Sequence, residues 1–153
     1  HGEMATTPFD AEGVATAPRT VVEDGVLKGW FLSSHSARKL GLESTGNAGG
    51  NHNLVLLPGE LDREGLVRKM GRGLLVTELM GQGVNGVTGD YSRGAAGFWV
   101  EGGRIAYPVH EVTVAGNLKD IYRAIVDVGA DVDLRGGIHT GSILVEEMTL
   151  AGE

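Results

Sequence analysis

The sequence contains no cysteine. That excludes disulfides, thiolate metal sites and a cysteine nucleophile together. Proline is scarce, at 4 residues, and aromatic residues make up only 5%. No apolar run approaches the roughly 20 residues that a membrane-spanning helix needs. Positive charge is also in deficit: 13 Lys and Arg stand against 20 Asp and Glu, for a formal net charge of −7. Nucleic-acid affinity rests on neutralising phosphates with Lys and Arg, so an acidic chain without a basic run is not expected to bind DNA or RNA. The same charge disfavours an anionic membrane surface. His1, Gly2, Glu3 and Met4 supply neither a basic n-region nor an apolar h-region, so no signal peptide is expected. The lack of cysteine fits a cytoplasmic protein.

Glycine, in contrast, is abundant, at 26 of 153 residues. Glycine at that density serves turns, bulges and close backbone approaches, which points to a strand-rich fold with many corners. The apolar fraction of 41% and charged fraction of 22% are those of an ordinary globular chain. The expectation is one domain over residues 1–153. It is an α+β domain, predominantly β, with mixed or antiparallel sheets in a barrel- or sandwich-like arrangement and two or three short helices.

Local patterns place the elements. Residues 1–18 hold Pro8 and Pro18 and carry no period. Residues 19–24 and 26–32 are β-prone runs joined at Asp24-Gly25, a dipeptide suited to the positive φ angles of a type I′ turn. Residues 98–101 and 104–107, joined by Gly102-Gly103, form a second hairpin candidate. Further strands are expected at 54–57, 74–80 and 143–147. A short helix over 34–41 has Ser34 as a cap and Gly41 as its end. A second helix over 62–70 has Asp62 as N-cap, Leu66, Val67 and Met70 on one face, and Gly71 past its end. A third is expected over 117–128: Leu118, Ile121, Tyr122 and Ile125 recur at helical spacing between Asn117 and Gly129.

No self-contained catalytic motif emerges. His110-Glu111 begins like H-E-x-x-H, but Val114 stands where the second histidine belongs, and the segment alternates like a strand. A zinc site could still be assembled from His52, His110, His139 and Glu111. Gly81, Gly83 and Gly86 match G-x-G-x-x-G after a strand, yet residues 87–94 show no helical period to hold a pyrophosphate. A nucleophile elbow around Ser92 would need glycine at the position of Asp90, so Ser92 reads as a turn serine. Asp90, Tyr91, Ser92 and Arg93 nevertheless lie together between glycine loops and could bind a peptide or brace a loop. The glycine- and amide-rich residues 45–53 suggest tight turns.

Six segments carry a family resemblance: SARKLG (36–41), STGNAGG (44–50), VTELMGQG (76–83), TGDYSRGAAGFWVE (88–101), YPVHEVTVAGNL (107–118) and EEMTLAG (146–152). In this order they resemble the C-terminal domain of the PmbA/TldE-type family. The resemblance implies that residues 1–153 correspond to the last part of a longer protein whose N-terminal α/β part lies outside this sequence. Proteins of this type pair as heterodimers with TldD-type subunits, in which a helical H-E-x-x-x-H motif binds zinc. Neither PmbA/TldE-type chains nor this sequence has that motif, so no cofactor is expected in this chain and zinc is expected in the partner. The implied role is support of a cytoplasmic metalloprotease that cleaves unfolded peptides, in processes linked to microcin maturation and antitoxin breakdown. The family also carries a historical label as a modulator of DNA gyrase, which leaves a gyrase-binding regulator as an alternative. On this reading Gly81, Gln82, Gly83, Asp90, Tyr91, Ser92 and Arg93 contact a peptide or a partner subunit.

Overall fold

The computed structural model describes residues 5–152; His1 to Met4, and with them the leader question, lie outside the described residues, as does Glu153. In chain order the elements are β1 (Val22–Glu23), β2 (Val26–Leu27), α1 (Ser34–Leu40), β3 (Leu54–Val55), α2 (Arg63–Met70), β4 (Gly73–Met80), β5 (Asp90–Glu101), β6 (Arg104–Asn117), α3 (Leu118–Arg123), β7 (Ile125–Val128), β8 (Ile138–His139), β9 (Ile143–Val145) and β10 (Thr149–Ala151). The fold is α+β and mostly strand. Its sheets are antiparallel apart from the parallel pair β3–β8, and among the described residues no sheet closes into a barrel. The chain divides into two compact units: residues up to Val55 with Leu134–His139, and Leu56–Asp133 with the chain from Thr140 onward.

The first unit is loop-rich. β1 and β2 pair through Asp24 (φ 50°) and Gly25 (φ 74°), so the expected I′ turn forms, although the ladder spans only two residues on each side. Helix α1 starts one residue earlier than Ser34 would place it. Ser33 is the N-cap, its hydroxyl accepting from the Ser36 N–H while Ser36 reaches back to the Ser33 N–H. Gly41 ends the helix in the left-handed conformation, as expected. Glycines 46, 49 and 50 all adopt positive φ in the loop over 45–53, which is a series of tight turns.

Asp10 organises this unit. Its buried carboxylate accepts from the backbone N–H groups of Glu12 (2.9 Å), Val14 (3.0 Å) and Ala48 (2.9 Å), joining two loops distant in sequence. Burial works to raise its pKa, but the N–H donors of Ala48, Val14 and Glu12, aided by the charge of His52, outweigh it and hold the carboxyl below its ordinary value. A carboxyl whose folded pKa is depressed stabilises the fold above the unfolded pKa, and that stability is lost as pH falls through the folded value. Asp10→Asn therefore should lower the urea midpoint clearly at pH 7, with the gap to the native sequence narrowing at pH 3. Equal midpoints at pH 7 would contradict this role.

The second unit is built on a four-stranded antiparallel sheet in the order β10-β6-β5-β4. The β5–β6 hairpin turns at Gly102 (φ 56°) and Gly103 (φ 71°), and the Gly103 N–H donates to the Gly71 carbonyl just past α2. Both strands run far beyond the expected 98–107, because residues 90–97, which look turn-like locally, are sheet interior. Ala95, Val112 and Val114 form the buried cluster, packed by Leu74, Val76, Tyr91, Val109 and Met148. Two bulges meet at Gly97. The β4–β5 register shifts between Val76 and Glu78, and the β5–β6 register shifts between Ala95 and Gly97, where Glu111 adopts φ 55°.

Helix α2 is capped by Asp62, whose carboxylate accepts from the Gly65 N–H at 2.7 Å, and it buries Leu66. The helix expected over 117–128 is corrected. Asn117 does cap α3, but the helix ends at Arg123, and Ile125–Val128 is strand β7 paired with β9. Ile125, Val126 and Val128 are β-branched, and the ladder to Ile143–Val145 outcompetes the helical stripe. The strands expected at 54–57 and 143–147 are present but end at Val55 and Val145.

Candidate functional site

The candidate residues fall on one arm of the second unit: the β4–β5 hairpin beyond the bulge at Thr77. The chain leaves β4 through Gly81 (φ 79°), a backbone state that favours glycine. It then runs back along β5. The Ser92 N–H donates to the Gly83 carbonyl at 2.7 Å, Val84 bridges to Tyr91, and the Asn85 N–H donates to the Asp90 carbonyl at 2.8 Å. Asn85 closes the tip, its side-chain oxygen accepting from the N–H groups of Val87 (2.9 Å) and Thr88 (3.2 Å). The Gly81–Gly86 segment thus continues the edge strand into a hairpin tip. It does not cradle a phosphate: the amides of residues 87 and 88 are already used, and no helix starts there.

Strand geometry separates the four residues that adjoin in sequence. Successive side chains in β5 point to opposite faces, so Asp90 and Ser92 share one face, and Tyr91 and Arg93 the other. Asp90 accepts from the Thr88 hydroxyl at 2.6 Å and serves the turn. Ser92 is an exposed strand residue, not a turn residue. Tyr91 packs against the buried cluster. Arg93 is half-buried and donates from Nη2 to the Leu79 carbonyl at 3.2 Å. Gln82 and both flanking glycines are exposed.

What the arm offers is backbone. Among the described residues β4 has a neighbouring strand on one side only, so its outer edge from Glu78 through the exposed Gly81–Gly83 presents peptide groups with little side-chain cover. The arm also exposes Leu79 and Met80, with Val84 at 45% and Val87 at 96%. An open edge flanked by apolar side chains is suited to pairing with another extended chain. Glu78 and the Thr77 bulge break the edge below the arm, which restricts where a partner strand can seat. The sequence signal for this site was the run of glycines. The double bulge at its root had no such signal.

Of the scattered candidate zinc ligands, His52 and His139 belong to the first unit and His110 and Glu111 to the second. Among the described residues no group of three or more His, Asp or Glu side chains is placed to hold an ion. His139 is buried with Nε2 2.9 Å from the Gly136 carbonyl oxygen. His52 meets the Thr7 hydroxyl at 3.2 Å and the Gly46 carbonyl oxygen at 3.3 Å. Glu111 occupies the bulge in β6. No helix among the described residues is long and apolar enough to cross a membrane.

Fold and arm together define an α+β domain built on an open-edged antiparallel sheet. Residues 1–152 match the family described as the PmbA/TldA metallopeptidase C-terminal domain, and the chain belongs to that family. It is 59% identical over 150 residues to the protein of Escherichia coli O157:H7 named metalloprotease PmbA, covering 98% of this chain and 33% of that protein. A Thermotoga maritima crystal structure named for modulation of a DNA gyrase superposes with a TM-score of 0.90 at 44% identity, covering 97% of this chain and 36% of that one. The structure of TldE from Thermococcus kodakarensis gives a TM-score of 0.81 at 28% identity, over 95% of this chain and 36% of that chain. The chain spans about a third of the length of the curated relatives it matches.

Proposed function

We propose that this chain supplies a non-catalytic domain to a TldD–TldE-type cytoplasmic metalloprotease, in which zinc and peptide cleavage belong to a TldD-type partner. The chain's task is to pair with that partner and to hold substrate peptides in extended form along the arm. The observation that carries this reading is the exposed β4 edge. Its backbone is bared by Gly81 and Gly83, and it is flanked by Leu79, Met80, Val84 and Val87. Strand addition to such an edge gives affinity through main-chain hydrogen bonds and is tolerant of sequence, as handling of unfolded peptides requires. Residues 1–153 do not contain the H-E-x-x-x-H motif that a helical zinc site uses, so this domain would rely on zinc held elsewhere in the assembly. Large apolar side chains left exposed elsewhere, among them Leu57 at 79%, also suit a domain that works in an assembly.

The test is to co-purify the full-length protein with a TldD-type subunit, then assay zinc and peptide cleavage for each chain and for the mixture. The expected result is zinc in the partner and cleavage only in the mixture. Stoichiometric zinc with cleavage by this chain alone would overturn the reading.

A further inference from the structure

Arg93 is a half-buried cation with no ion-pair partner among the described residues. Arg93 takes part in none of the ion pairs Lys28–Glu23, Arg68–Glu64 and Lys69–Asp127. Its Nε is buried and has no hydrogen-bond acceptor. Asp90, the nearest acid along the strand, is engaged by Thr88 and lies on the opposite face of β5. Leaving a buried donor of a charged group without an acceptor is unfavourable. A chain with 20 carboxylates had ample means to pair this residue. The bond from Nη2 to the Leu79 carbonyl also places the guanidinium against β4, the edge strand of the arm.

We infer that Arg93 is the receptor for a carboxylate carried by a peptide lying along the arm. The planar guanidinium holds a carboxylate through parallel charge-assisted hydrogen bonds, a geometry that lysine does not reproduce. The carboxylate is either the peptide's C-terminus or an acidic side chain near its end. In both cases Arg93 fixes the register of a strand whose main-chain bonds alone would let it slide. This inference rests on the strand-addition reading proposed above.

The experiment measures binding to the complex of the full-length protein with its TldD-type subunit. The probes are three labelled octapeptides of alternating valine and serine: one with a free C-terminus, one amidated, and one amidated with a single glutamate near the end. The free acid, the glutamate peptide or both should bind about tenfold or more tightly than the neutral amide. Which of them gains identifies the source of the carboxylate. Arg93→Gln should abolish the difference, and Arg93→Lys should restore only part of it. Equal affinity of all three peptides for the unmodified complex would overturn the assignment without recourse to any variant, as would a preference that survives Arg93→Gln. If Arg93→Gln weakens assembly with the partner but not peptide preference, the carboxylate is the partner's and the assignment is wrong. If the unmodified complex binds none of the peptides, strand addition fails and this inference falls with it.

Discussion

Gly97→Ala is expected to destabilise the second unit by at least about 3 kcal/mol, a large share of the 5–15 kcal/mol that typically holds a domain together. Gly97 sits in β5, an inner strand of the sheet, where the register shifts against both neighbouring strands converge. A methyl group there would overlap the Leu75 carbonyl oxygen and would lie 2.9 Å from the Leu75 carbonyl carbon and 3.1 Å from the Thr77 nitrogen. All three are backbone atoms of the adjacent strand, so no side-chain rotation relieves the clash. The substitution must push β4 away from β5 or undo the bulge at Thr77. Urea denaturation of the native sequence and the variant checks this. A midpoint within error of the native value would mean that β4 gives way at little cost, and that the bulge does not lock the sheet.

Gly83→Ala should act more locally and more on function. A Cβ at this position would overlap the Ser92 carbonyl oxygen, again a backbone atom. The Ser92–Gly83 hydrogen bond of 2.7 Å and the Val84–Tyr91 bridge would be lost together, freeing the arm tip while the buried cluster around Ala95 stays intact. The expected loss is about 1–3 kcal/mol confined to the arm, seen as faster amide exchange at Ser92 with little change at Val100. Peptide affinity of the assembled protein should fall about tenfold or more, because the edge that receives the strand no longer holds its shape. Native-like peptide affinity in the variant would separate the arm from peptide binding.

Much of this architecture can be read from local sequence. Asp24-Gly25 and Gly102-Gly103 each turn a hairpin because both residues of a type I′ turn need positive φ. Asp62 and Asn117 each begin a helix because a side-chain oxygen can take an otherwise unpaired N–H. The misreadings occur where a distant partner decides. Leu118, Ile121, Tyr122 and Ile125 have helical spacing, yet β7 forms at Ile125 because β9 lies alongside it. Residues 94–97, Gly-Ala-Ala-Gly, look like a loop in isolation. They are sheet interior, small because the neighbouring backbone comes close to Gly97 and because Met80 covers Gly94. The bulge at Glu111 takes positive φ without a glycine to announce it.

The candidate site shows the same division. Gly81 and Gly83 mark an exposed backbone in the sequence itself. The adjacency of Asp90, Tyr91, Ser92 and Arg93, in contrast, suggests a cluster that strand alternation takes apart. Once β5 is known to be a strand, the period of two assigns Arg93 to the face it shares with Tyr91, away from Asp90.

The most direct measurement of the central claim is amide hydrogen exchange on the full-length protein assembled with its TldD-type subunit, with and without a saturating unstructured peptide. Strand addition at the arm predicts new protection at outward-facing amides between Glu78 and Val84, and none at β10, on the opposite edge of the sheet. Unchanged exchange across residues 78–84, with peptide bound and cleaved, would contradict it.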